Sequence, residues 1–295
     1  MTIRRSELLG IRTDPSHGRL AMTTQLPATI DEVISRMEQI DRELDPHDGV
    51  ACFNRVYLKV TKLVKQHVTE GTFKDGAFLE RMDVIFAGHY LQNVEAAKAG
   101  RQVEGSWQPL FDVRGNRVIW PIQFALAGMN AHINHDLALA VVETCQERGT
   151  APENPPVHED FEKVNDLLAS VEAEIRAEFE LQLVKVATAP AEQLKHAVSA
   201  FSMSTAREVA WFNATQLWNA RNNPMKYQIV LTGMVGSVNA TSRVILVPVI
   251  PPPAAVCGAE GAAAGGRPVD GSRALLGTEV ERGLRGGAAP LTIMR

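Results

Sequence analysis

Pro121-Ile-Gln-Phe-Ala-Leu-Ala-Gly-Met-Asn130-Ala-His-Ile-Asn-His-Asp136-Leu-Ala-Leu-Ala-Val-Val-Glu143 is apolar on nearly every side of a helical wheel, yet carries Gln123, Asn130, His132, Asn134, His135, Asp136 and Glu143. A helix that is apolar all round is a buried helix. A buried helix must be wrapped by others, so this stretch predicts an all-α fold: a single bundle of six or seven helices around a buried central helix. Pro121 suits its first turn and Gly149 its end.

The polar residues of this helix split into two stripes. At about 100° per residue, Gln123, Asn130 and Asn134 fall within roughly 40° of one another. His132, Asp136 and Glu143 form a second stripe on about the opposite side, with His135 near its edge. Buried polar groups cost free energy unless they are paired. The amide stripe therefore reads as glue between helices, with Asn130 and Asn134 also candidates for contact with a ligand. The ionisable stripe is where chemistry is expected.

Moving outward, Thr29 and Glu32 form a capping box ahead of Ile30, Val33, Ile34, Met37 and Ile40 at helical spacing. A second helix is expected from about Val50 to Glu70, its apolar face interrupted by a half-exposed polar insertion, Asn54-Arg55. A third is expected from Gly76 to Ala99. Residues 100–117 read as a loop in which Trp107 packs down onto the helices. A fifth helix is expected from Val157 to Leu183, with His158, Phe161, Asn165 and Leu168 on its inward line, and a sixth from Pro190 to Ala220. Pro224 and Gly233 read as interruptions, and Val244–Ile250 as a last short buried segment. Residues 1–25 and the Gly/Ala/Pro/Arg-rich stretch 251–295 read as disordered extensions flanking a helical domain over 26–250.

Composition narrows the classes of function. The net charge is -4, with no basic stripe, so nucleic-acid binding is not expected. No uninterrupted apolar run is long enough for a membrane span, and no secretory leader is recognisable. Cys52, Cys145 and Cys257 form no CxxC pair. That fits a reducing compartment, so a cytoplasmic location is expected. No nucleophile elbow, phosphate-binding loop or dinucleotide fingerprint occurs.

His132 and Asp136 stand one turn apart, so both can reach one ion or one substrate. Two readings stand side by side. In one, His132 is a general base or a ligand, Asp136 orients it or shares the ion, and His158 or His89 completes the site. The cofactor would then be a divalent metal such as zinc, iron or manganese, bound by His132, Asp136, His158 and His89. In the other, His132 and Asp136 are a hydrogen-bonded pair inside a non-catalytic binding or scaffold protein. The spacing is not the His-Glu-x-x-His pattern of zinc proteases. Arg207 and Trp211 share a face and read either as a clamp for an anionic or aromatic small molecule or as a packed face with a snorkelling arginine.

Phe53-Asn-Arg-Val-Tyr-Leu58, Arg81-Met-Asp-Val-Ile-Phe86, Pro121 to Asn134, Asp160-Phe-Glu-Lys-Val-Asn165 and Arg207-Glu-Val-Ala-Trp211 resemble a bacterial family, domain-of-unknown-function family 5995, over about residues 27–250. The Gly-Met-Asn-Ala-His-Ile-Asn string is the most distinctive part. The resemblance implies no established activity. A biosynthetic enzyme acting on a small molecule, by hydrolysis or cyclisation, is the expectation that fits such a family.

Overall fold

The apolar stretch from Pro121 to Glu143 is the axis of the structure. In the computed structural model α5 (Pro121–Ala131), a five-residue π turn (His132–Asp136) and α6 (Leu137–Arg148) run as one continuous helix. Almost every residue from Ile122 to Cys145 is buried. The structure describes residues 26–183, 192 and 202–248. The expected terminal extensions, and most of 190–201 in the expected sixth helix, lie outside the described residues.

Around the axis pack α1 (Ile30–Glu43), α2 (Gly49–Thr69), α3 (Gly76–Lys98), α4 (Gln108–Val113), α7 (Val157–Leu183), α8 (Met203–Ala220) and α9 (Pro224–Ile245). The protein is an all-α bundle. Most of its helices begin where capping residues stand. Thr29, Asp48, Asp75, Ser202 and Asn223 each accept a backbone N–H from the first turn that follows. Asp160, at the start of α7, accepts from the backbone N–H groups of Lys74 and Asp75 at 2.9 and 2.7 Å, which ties α7 to the entrance of α3.

Three regions differ from the sequence reading. Residues 108–113 form the short helix α4, whose Pro109 lies in the first turn. Gly49 N–H donates to the Arg114 carbonyl, and the Arg114 guanidinium grips Asp48 with both carboxylate oxygens, so this segment is fastened to the start of α2. Pro224 does not interrupt a helix but begins α9, where its fixed φ costs nothing, and Gly233 lies within it. The expected buried segment at Val244 is instead the end of α9, with Val244 and Val247 exposed and Leu246 buried.

The π turn accounts for a fourth difference. Its closing bond runs from Leu137 N–H to the His132 carbonyl, five residues back, so the α-helical wheel does not hold through His132–Asp136. The two-sided division survives nonetheless. Gln123 Nε2 donates to the carbonyls of Ile245 and Val247, and Asn130 Nδ2 to the Val238 carbonyl and Ser242 Oγ, all on or just beyond α9. Asn134 Nδ2 donates to Asn130 Oδ1. The amide stripe is consumed in seating α9.

On another flank, α2 and α5 meet closely through glycines. A Cβ on Gly128 would fall 2.4 Å from the Phe53 ring, and one on Gly49 would fall 2.4 Å from the Phe124 ring. Gly128→Ala is therefore expected to cost about 1–3 kcal/mol and to lower Tm by several degrees. Gly236→Ala, with nothing within 4 Å of its Cβ, is expected to raise stability by up to about 1 kcal/mol through helix propensity. Equal effects of the two changes in thermal melts would show that the α2–α5 contact is not close-packed.

Candidate functional site

The π turn places a buried carboxylate at the centre of the molecule. Asp136 is 1% exposed. Its Oδ2 accepts from His132 Nδ1 and Trp107 Nε1, each at 2.9 Å, and its Oδ1 accepts from His135 Nδ1 at 2.8 Å. Trp107 does pack inward, as its place in the 100–117 segment suggested, and its indole N–H has a specific partner there. Burial would raise the Asp136 carboxyl, but the two histidine hydrogen bonds outweigh it and hold the group ionised, well below the usual carboxylate range.

An ionised Asp136 sets the tautomer of both histidines. Each gives its Nδ1 proton to the carboxylate, which leaves Nε2 as the free nitrogen when the ring is neutral. Both Nε2 atoms are buried and without a hydrogen-bond partner among the described residues. The two rings border different surroundings. His135 lines a polar cleft with His89, Asn93, Arg101 and Glu104. His132 lines a cavity of about 60 Å³ between α2, α3, the π turn, α7 and α8. By the measure in which one water fills about 10–15 Å³, that is room for a small organic group or a few waters.

The walls of this cavity are apolar: Phe53, Val60, Leu79, Met129, Leu137 and Leu168 are representative. Its polar members are His132, Tyr57, Asp83 and Arg207. The Tyr57 hydroxyl, which has Thr61 beside it, and Asp83 Oδ2 share with His132 Nε2 the property of being buried without a close hydrogen-bond partner among the described residues. Val56, Val60 and Phe86 are the partly exposed lining residues, so the cavity comes nearest to solvent between α2 and α3. The His132 ring is held in an aromatic frame. Phe86 stacks on its face at 3.6 Å and Tyr57 meets it edge-on at 4.3 Å.

The electrostatics of the cavity separate two titratable groups. Burial pulls the His132 imidazole below its ordinary pKa, and the Asp136 contact only partly offsets this, so His132 is neutral at pH 7. Burial, helped by Glu80, pushes the Asp83 carboxyl up to about 7. His135 goes the other way. Burial disfavours its charged form, but Asp136 and Glu104 more than compensate and raise it.

The remaining residues named from sequence fall in different places. His158 does not reach the inward site: its side chain is 52% exposed, pairs with Glu162 and stacks on Trp211 at 4.3 Å. Trp211 packs on Phe161 outside the cavity, so Arg207 and Trp211 do not form one clamp. Arg207 does not snorkel; it is buried at 4% exposure and faces the cavity. His89 sits across the cleft, 3.2 Å from Glu143. Asn130 and Asn134 are engaged with α9 and with each other. Asn54 is not half-exposed but fully buried, donating to the Met37 carbonyl and accepting from the Tyr90 hydroxyl. Among the described residues no group of three or more His, Cys, Asp or Glu side chains is arranged to hold a metal ion, and no helix is long and apolar enough to cross a membrane.

Asp83 and Tyr57 were missed as site residues. A signal for Asp83 existed: Leu79, Met82, Asp83 and Phe86 share the i, i+3, i+4, i+7 line of α3, which puts a carboxylate on an apolar face.

The raised Asp83 pKa has a consequence for stability. In the unfolded chain this carboxyl titrates near its ordinary 3.8, and in the fold at about 7. Its folded-state contribution is therefore fully present below about pH 4 and is lost as pH rises through 7. Asp83→Asn is expected to remove that loss, narrowing the difference in unfolding free energy between pH 5 and pH 8, read from urea titrations, by an amount on the order of a few kcal/mol. An unchanged pH profile in the variant would show that Asp83 ionises normally.

The family of unknown function DUF5995 matches residues 30–248. No curated protein and no solved structure matches the chain. The match covers the described bundle from the first residue of α1 to just beyond α9, including the π turn and the cavity-lining helices, and the chain belongs to that family of unknown function.

Proposed function

We propose that this protein is an acid–base enzyme acting on a small, largely apolar molecule held in the cavity, with His132 as the base and Asp83 as the acid. One observation carries the reading: His132 Nε2 is buried with no hydrogen-bond partner among the described residues, on a ring that lines the cavity and whose other nitrogen is fixed on an ionised carboxylate. A neutral imidazole with a committed Nδ1 has one thing left to do at Nε2, which is to accept a proton or a hydrogen bond. Asp83 is the complementary group. A carboxyl with a pKa near 7 still holds its proton at mildly acidic to neutral pH and can return it to the substrate. The reaction class is an internal proton shift, in which Nε2 takes a proton from one atom of the substrate and Asp83 delivers one to another. Tyr57 supplies a hydrogen bond to a substrate oxygen. His135 and Trp107 touch no substrate and serve as positioning residues for Asp136.

The nearly continuous apolar wall supports a second reading, a non-catalytic binder of an apolar small molecule. The two separate in one experiment. Native mass spectrometry of the purified protein identifies any small molecule that travels with it, and that compound is then incubated with the protein in D2O. Deuterium wash-in by the wild type, lost by at least about a hundredfold in His132→Gln, is the expected result. Binding without any wash-in leaves only the binder.

The protonation state of His132 is a separate expectation. In 15N NMR of the imidazoles, His132 should carry its proton on Nδ1 and become charged at lower pH than an ordinary histidine, while His135 takes up its proton at higher pH than one. A His132 ring that is charged at pH 7 removes the base and with it the proposal.

A further inference from the structure

Arg207 is a cation placed deep in the bundle with no anion in contact among the described residues. Its side chain lines the cavity, and the residue is 4% exposed. Its Nε donates to Asn165 Oδ1 and its Nη2 to the Phe161 carbonyl, both at 2.6 Å, while the guanidinium lies 4.0 Å from the centre of the Phe161 ring. These partners are neutral, and Nη1 makes no hydrogen bond among the described residues. No carboxylate lies within ion-pair distance of it among them either. Glu162 is linked to it through the Asn165 amide, whose Nδ2 donates to Glu162 Oε2 at 3.0 Å, but Glu162 is itself paired with His158 on the outer side of α7. Asp83 shares the cavity without pairing with Arg207. Buried charges in proteins are paired, because an uncompensated one is among the costliest groups a fold can carry. A buried arginine held by neutral acceptors, on a side chain that lines an apolar cavity, is an incomplete ion pair.

We propose that the missing partner is the ligand, and that the cavity takes small molecules with an apolar body and one anionic end, a carboxylate, seated on Arg207. This rests on the reading of the cavity as a small-molecule site and adds the polarity and orientation of what occupies it. The fork of the guanidinium matches the two oxygens of a carboxylate, which a hydroxyl or an amine does not. With the charged end at Arg207, between α7 and α8, the apolar body lies against the aliphatic wall toward His132 and Asp83. The same polarity excludes amines, which would set two cations in one apolar space.

Hexanoate, 1-hexanol and hexylammonium test this on the intact chain, since they share one apolar body and differ in the charge of the end group. Binding is read by calorimetry and by the 15N signals of His132. Hexanoate is expected to bind at least about tenfold more tightly than hexanol, the least that a charge-assisted hydrogen bond confers, and hexylammonium more weakly than either. In Arg207→Met the preference for hexanoate over hexanol should disappear. Hexanol binding as well as hexanoate in the wild type overturns the inference, and this comparison needs no variant, so it stands even if Arg207→Met fails to fold. Retention of the full preference in a folded Arg207→Met also overturns it, as does no hexanoate binding at all. The underlying reading is distinguished within the same data. Hexanol that binds without charge selection and shifts His132 leaves the site in place and removes the anion, whereas charge-selective binding with the His132 nitrogens unmoved keeps the anion site and removes His132 as its base.

Discussion

The Asp136 carboxylate is the constraint on which the rest depends. A carboxylate at the centre of a helical bundle is tolerable only if its lone pairs are filled. Here three N–H groups fill them: two from imidazoles on the same turn of helix, and one from the indole of Trp107 in the segment before α4. The π turn presents His132, His135 and Asp136 to one another, and its surplus residue breaks the regular register of a helix that is otherwise close-packed on all sides. Such turns inside α-helices recur at functional sites because they re-aim side chains that an unbroken helix would hold elsewhere. Once the carboxylate is ionised the rest follows. Both imidazoles must donate through Nδ1, and both Nε2 atoms are on the side of the ring away from Asp136, one ring lining an apolar cavity and the other a polar cleft.

The two polar faces of the central helix differ in how completely they are used. On the amide face, Gln123 and Asn130 spend their donors on carbonyls and a hydroxyl of the α9 region, and Asn134 spends its own on Asn130. That is what residues kept for helix contacts look like. On the ionisable face, the inner atoms are satisfied and the outer ones are not. A hydrogen-bonded His–Asp pair retained only for packing would be expected to close on itself; this one leaves a lone pair in an apolar space with two more unpartnered groups, the Tyr57 hydroxyl and the Asp83 carboxyl, on the same walls.

Much of this was legible in the sequence, for reasons that are local. The cap at Thr29, the first-turn proline at 121 and the glycine at 149 mark helix ends through chemistry that acts within a few residues. The burial of the central helix follows from its own composition, and so does the opposition of its two stripes. What could not be read is what depends on partners distant in the chain. His158 lies on the same helical line as Phe161 and Leu168, but it sits in the first turn of α7, where the bundle no longer covers it. Arg207 and Trp211 are one turn apart, and one went inward while the other lies at the rim, because α7 offers Asn165 and the Phe161 carbonyl at one level and the His158 ring at the other. Helix α4 is too short for a periodic signal, and its stability comes from the Arg114–Asp48 grip, which spans 66 residues.

Desolvation links the stability of this fold to its proposed chemistry. The burial that makes Asp83 an expensive residue at neutral pH is the same burial that keeps its proton in place at a pH where an ordinary aspartate has lost it. The burial that lowers His132 keeps the imidazole neutral beside an ionised carboxylate that would otherwise charge it. A ligand entering the cavity displaces whatever water reaches these groups, and both effects grow in the same direction: the acid holds its proton more firmly and the base stays bare. An apolar occupant therefore sharpens the acid–base difference that the empty fold already holds. The cost is borne at all times by a bundle whose central helix, pinned by its amide face to α9 and by glycine contacts to α2, sets His132 beside Asp83 and Tyr57 around one void, their polar atoms without close partners among the described residues.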